Sequence, residues 1–116
     1  MVFEALSQPQ ITVKSITLEG RTYTGYLMEM ENAVLGFFYE GEAMRLGTLA
    51  IAIPTPQPLT RTTSTILLGH KNVNTARIVA EYLAAKKNKI SLASIYLKEA
   101  DLACEKGLLT LVKNML

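Results

Sequence analysis

Four β-rich runs open the chain, Ile11–Leu18, Thr22–Met30, Ala33–Gly41 and Met44–Ile53. Isoleucine, valine, threonine, leucine and aromatic residues fill them, and short polar or glycine-bearing breaks such as Glu19-Gly20 and Glu31-Asn32 separate them. Breaks this short predict consecutive antiparallel hairpins. In the first run the apolar phase slips between Val13 and Ile16, which admits a bulge. Pro54–Leu59 carries three prolines and is expected to break the sheet as an extended, semi-rigid loop. Thr60–Leu68 returns to β character, its threonines suiting a half-exposed strand.

The period then changes. Ala76, Val79, Ala80, Leu83 and Ala84 form one face of an amphipathic helix starting at Val73, with Asn72 or Asn74 as candidate N-cap. Ile90–Leu97 reads as a buried strand. From Glu99 onward, Ala103, Gly107, Leu108, Leu111 and Met115 make a second helical stripe. Gly107 costs that helix about 1 kcal/mol against alanine and is explained by close approach to the sheet or to another chain. The fold class expected is α+β: an antiparallel β-meander sheet of about six strands with two helices in the C-terminal half, order β-β-β-β-β-α-β-α. A single domain over 1–116 follows from length and from the lack of repeats, with residues 1–10 a loosely ordered segment.

Composition narrows the function classes. The hydrophobic share is 49%, but only 19% of residues are charged, which leaves a small domain short of polar cover and hints at an apolar interface. The net charge of +2 is interspersed, and the densest cations, Ala84–Lys89, fall at a helix end, where they complement the dipole. Glu40 and Glu42 follow the aromatic run Phe37-Phe38-Tyr39, against a nucleic-acid sheet face. One cysteine, Cys104, and one histidine, His70, leave neither a disulfide nor the usual zinc set, so no metal or cofactor is expected. The N-terminus has no signal-peptide pattern and no run reaches membrane-spanning length; a cytoplasmic protein is expected.

Candidate chemistry concentrates at "STILLGHKN". A strand, Gly69 and a helix start can bind an anion, yet a Walker loop or dinucleotide fingerprint needs further glycines. Gly69 therefore reads as a sharp strand exit, and His70 and Lys71 as exposed contact residues. Cys104, near an apolar helix stripe, reads as a small buried hydrophobe and not a nucleophile. No catalytic set is expected.

The series "RLGTLAIAIP", the proline break, "TSTILLG", "NTARIVAEYLAAKK", "ISLASIYLK" and "GLLTLVKNML" resembles the proteasome assembly chaperone 3 family over Leu18–Leu116. Arg45, Leu46, Gly47, Thr48 and Leu49 match its basic-hydrophobic-Gly-Thr-Leu strand end, and Thr65 with Leu67–Gly69 its Leu-Leu-Gly strand end. The order of the whole series carries the resemblance, not any one motif. Two departures stand out: "EGEAM" replaces a Thr-Gln, and the Pro54–Leu59 loop is short and lacks acids. They suit a distant member of prokaryotic or archaeal type. The resemblance implies a non-enzymatic factor that binds proteasome α subunits during 20S α-ring assembly and then leaves. It implies a homodimer, or a heterodimer with a related chaperone, with no nucleic-acid or membrane partner. The protein-contact candidates are Phe37, Tyr39, Arg45, Pro54, Pro56, Pro58, Arg61, His70 and Lys71. The rival expectation is a small dimeric roadblock- or longin-like scaffold in trafficking or GTPase regulation, though many such domains begin with a helix.

Overall fold

A computed structural model describes residues 10–55 and 63–116. Strands β1 (Gln10–Leu18), β2 (Arg21–Glu29), β3 (Ala33–Glu40), β4 (Thr48–Ile53) and β5 (Thr63–Leu68) precede helix α1 (Val73–Lys87), strand β6 (Ile90–Tyr96) and helix α2 (Leu102–Met115). The α+β class, the element order and the two late helices agree with the sequence reading. Of the segment expected to be loose, Gln10 already belongs to β1, and the rest lies outside the described residues.

The sheet is mixed, which corrects the antiparallel meander. Its order is β1-β2-β3-β6-β4-β5. β6 enters between β3 and β4, parallel to the first and antiparallel to the second. The reason lies in its side chains. Ser91 and Ala93 are small and fully buried, as suits a central strand close beneath a helix, and Ser91 Oγ donates to Ala80 O of α1 at 2.5 Å. The β3–β4 connection is therefore no hairpin. It also outlasts expectation, since residues 44–47 lie outside β4. Gly47 N–H donates to the Ser94 hydroxyl at 2.9 Å, and the β4–β6 ladder begins only at Thr48↔Ile95.

Both helices lie on one face of the sheet. α1 covers β4, β5 and β6, while α2 covers β2 and β1. Tyr23, Leu27, Val34, Phe38, Ala50, Ala52, Ala93 and Ile95 point into this layer, where they meet Ala76, Val79, Ala80 and Leu83 of α1 and Cys104, Leu108, Leu111 and Val112 of α2. β1 pairs with β2 without interruption, so the admitted bulge is absent. Its phase slip has another origin. Alternation along the strand turns Ile11 and Val13 to the opposite face from Ile16, which packs on the core. The one register shift lies between β4 and β5, where Leu67 is the extra residue between Leu68↔Leu49 and Ile66↔Ala50.

The helix ends are fixed by local chemistry. Asn72 stands at the N-cap of α1 in the left-handed region, φ 56°, without the side-chain cap the sequence suggested. Its amide instead donates to Glu105 Oε1 of α2 at 3.4 Å. α2 is capped by Asp101, whose Oδ1 accepts from Cys104 N–H at 2.8 Å. The Ala84–Lys89 cations are absorbed locally: Lys87 and Lys89 pair with Glu29 of β2 at 3.1 and 2.8 Å, which clips the end of α1 to the sheet. Gly107 is explained by the sheet, since a Cβ there would lie 2.6 Å from the Tyr23 ring.

Two predictions follow from this packing. Gly107→Ala should lower unfolding free energy by about 1–3 kcal/mol in a urea titration, overpacking against Tyr23 outweighing the gain in helix propensity. The hydrogen bonds from Lys89 and Lys87 hold the Glu29 carboxyl below its ordinary 4.5. A depressed folded-state value stabilises above the unfolded value and is lost as pH falls through the folded one. Glu29→Gln should therefore cost about 0.5–1 kcal/mol at pH 7, and the difference from wild type should shrink as pH falls below 4.5 and vanish once the carboxyl is protonated in the folded state too.

Candidate protein-interaction surfaces

Strand alternation turns a second set of side chains away from the helices. Ladder pairing aligns these into rows that cross all six strands. One row runs Ile11, Met28, Leu35, Leu92, Ile51 and Thr65. The next runs Val13, Tyr26, Phe37, Ser94, Leu49 and Leu68. Neither row holds a charged side chain. Ile11, Val13 and Leu68 are 55%, 50% and 46% exposed, far above what a covered face allows. Below β1 and β2 the face turns polar: Ser15 and Thr24 share a hydrogen bond at 2.8 Å, and Thr17 and Thr22 one at 3.1 Å. A contiguous apolar face of this kind marks a contact surface.

Of the sequence-derived contact candidates, Phe37 and Tyr39 lie on this open face, Phe37 half-buried and Tyr39 buried at 8%. Arg45, exposed in the 41–47 connection, stands 5.7 Å above the Tyr96 ring at the edge of the same face. His70 and Lys71 lie with Leu46, Leu68 and Tyr96 around a groove of about 310 Å3 at the end where β6 and β5 finish. Arg45, His70 and Lys71 thus gather at one end of the sheet, whereas Pro54 follows β4 at the other. Pro56, Pro58 and Arg61 lie outside the described residues.

The groove is built by the strand exit expected from "STILLGHKN". Gly69 turns at φ 93°, and a Cβ there would meet the Thr48 backbone at 2.8 Å. Thr48 Oγ1 donates to Lys71 O, and Lys71 Nζ donates to Lys98 O at 2.8 Å. These bonds hold the His70-Lys71 corner against β4 and the end of β6. His70 itself is exposed and makes no hydrogen bond or ion pair among the described residues.

Sequence reasoning missed most of the open face. The signal was present where an apolar run ignores alternation, as in "AVLGFFY" and "TLAIAI": when both phases of a strand are apolar, both faces need cover. Only Phe37 and Tyr39 were read that way.

A third cluster lies beneath the start of α2. Arg21 pairs with Asp101 at 3.3 Å and also donates to Cys104 Sγ. Glu40, buried in β3, accepts from Lys98 N–H at 3.1 Å and from the Cys104 thiol at 3.5 Å. Burial pushes the Tyr23 hydroxyl up to about 12. Burial, then the bond with Asp101, also raises the Cys104 thiol, while the Cys104 backbone N–H holds the Asp101 carboxyl low. A thiol that is buried and held protonated is a poor nucleophile. The cluster is a clamp between α2 and the sheet. An aromatic disulfide reagent at pH 8 should leave Cys104 unlabelled in native protein and label it fully in denaturant; rapid native labelling would contradict the clamp.

Searched by sequence, the chain matches no family model and no curated protein. In structure it is similar to a chain of a novel chaperone complex for yeast 20S proteasome assembly, with a TM-score of 0.66 and 16% identity. The match covers 94% of this chain and 98% of the yeast one. At this identity the likeness is one of fold.

Proposed function

We propose that the chain is a non-enzymatic assembly chaperone that binds proteasome α subunits during 20S α-ring and core assembly, and that it acts as a dimer. The observation that carries this reading is the fold likeness to a proteasome-assembly chaperone over nearly the full length of both chains. The open sheet face supports it, because a largely apolar surface without charged side chains suits protein contact. In the described residues no group of three or more His, Cys, Asp or Glu side chains is placed to hold a metal. No described helix is long and apolar enough to cross a membrane.

On this reading the α subunit is gripped at the end of the sheet, where His70 and Lys71 line the groove and Arg45 stands nearby over Tyr96. Arg45 and Lys71 beside an apolar slot favour a client segment that pairs an acidic side chain with a hydrophobic one. The contact is transient, so it stays within the ordinary interface size of about 1,200–2,000 Å2.

The test is retention of separately purified α subunits on the immobilised full chain. One or a few should be held, and Arg45→Glu with Lys71→Glu should weaken them about tenfold or more, or 1.4 kcal/mol. Failure to hold any α subunit, with small GTPases or vesicle proteins recovered from lysate instead, would overturn the reading.

A further inference from the structure

β1 ends the sheet, and among the described residues no strand pairs with its outer edge. About half of its backbone N–H and C=O groups point along that edge, since pairing with β2 uses only the other half. We propose that this edge takes up an extended segment of another protein, with an acidic residue at its middle and apolar residues at alternate positions, which adds to the sheet as a further strand beside β1. The surface lies across the strand order from the groove lined by His70 and Lys71, and it goes beyond the client grip assigned there.

The two edges of the sheet are unlike. β5, at the far edge, has six residues and carries the register shift at Leu67, so it offers a short, bulged ladder. β1 has nine residues, contains no proline, and pairs with β2 from Gln10↔Glu29 to Leu18↔Arg21 without a break. Eight of the nine are exposed. Alternation sets Thr12, Lys14, Ile16 and Leu18 on the helix side, where Ile16 packs on the core. Leu18 stays 42% exposed although it faces α2. Together with Ala103, Gly107 and Thr110 it lines a groove of about 270 Å3 between strand and helix, which Glu19 and Lys106 complete. A strand laid along β1 brings an inward side chain over this groove, as an added strand does when pockets beside an edge select its alternate residues.

Charge decides what that strand carries. Lys14 is the middle residue of β1, four positions from either end. Two copies of β1 paired antiparallel about their midpoints would set one Lys14 against the other, a like-charge contact that guards the edge against its own kind. On α2, Lys106, Thr110 and Lys113 fall on one stripe at helical spacing, and the first two line the groove. The side chains of Lys14, Lys106 and Lys113 make no hydrogen bond or ion pair among the described residues. Elsewhere cations are taken: Lys87 and Lys89 by Glu29, Arg21 by Asp101. Unpaired ammonium groups beside an open edge favour a strand whose acid lies opposite Lys14.

Glu19 is the only acid in the groove's lining, and it lies next to Leu18. It repels an acid at that end of the edge, so the groove takes an apolar residue while Lys14 takes the acid. The two together fix the register of the added strand. Main-chain hydrogen bonds supply affinity of little sequence preference, and Lys14 with the Leu18 groove supplies the choice of partner.

The probe is the peptide VTVTETVTV, acetylated and amidated, titrated into the isotope-labelled full chain and followed by amide NMR. Its central glutamate meets Lys14 in either strand direction. The wild type should show saturable shifts concentrated at the amides of Gln10–Leu18. The same peptide with lysine in place of glutamate should bind at least about tenfold more weakly. Lys14→Glu should invert that order, a result that a misfolded variant would not give. N-methylation of the peptide at alternate residues should abolish binding in one phase and spare it in the other, as backbone pairing requires. No saturable shift up to about 1 mM peptide, shifts centred on Arg45, His70 and Lys71 in place of β1, or a preference for glutamate that survives Lys14→Glu would overturn the proposal. Failure to retain α subunits leaves these shifts untouched and bears on the client reading alone.

Discussion

β6 reaches its place between β3 and β4 because its inward side chains are small enough to let a helix lie on them, and the rest of the molecule depends on that pairing. Ser91 and Ala93 bring α1 down until Ala80 O accepts a hydrogen bond from the sheet. Joining β6 to β3 in parallel requires the chain to cross over the sheet, and α1 lies in that crossover. α2 then follows β6 directly and lands beside α1 on the same face. Both helices are thereby committed to one side, and among the described residues no third element covers the other.

This one-sidedness explains the composition. A six-stranded sheet whose central strands are apolar on both faces needs two covers, and one is built into the chain. The low charge content and the rows through Leu35 and Phe37 reflect the face that lacks a cover. The polar corner at Arg45, His70 and Lys71 lies at one end of the sheet, and its groove shares Leu68 with the second row.

Much of this was legible in the sequence. Each helix shows its period in its own residues, Ala76 to Ala84 and Leu108 to Met115, and a helix stripe has one meaning. The strands were found for the same reason. The order of strands was not, because nothing local in "ISLASIYL" says that it pairs with a run more than fifty positions upstream (Ala33↔Ile90) and not with its neighbours. Small residues at Ser91 and Ala93 were the available clue. The slip at Val13 and Ile16 was read as a bulge because one apolar face was assumed; with two, the slip is ordinary alternation. Of the contact candidates, His70 and Lys71 stand out by their polarity at a strand exit, whereas Ile11, Met28 and Ile51 do not declare their face, since burial on one face and exposure on the other look alike in sequence.

The central claim is that the face opposite the helices is covered in solution. Hydroxyl-radical footprinting of the wild-type chain reads it residue by residue, because methionine and tyrosine are modified in proportion to their exposure. Met44, 51% exposed in the connecting loop, is the internal reference. The account predicts strong protection of Met28 and Tyr26 relative to Met44 at about 10 µM protein, with protection lost on dilution. Modification of Tyr26 at the rate set by its 37% exposure in the single chain, independent of concentration, would contradict it.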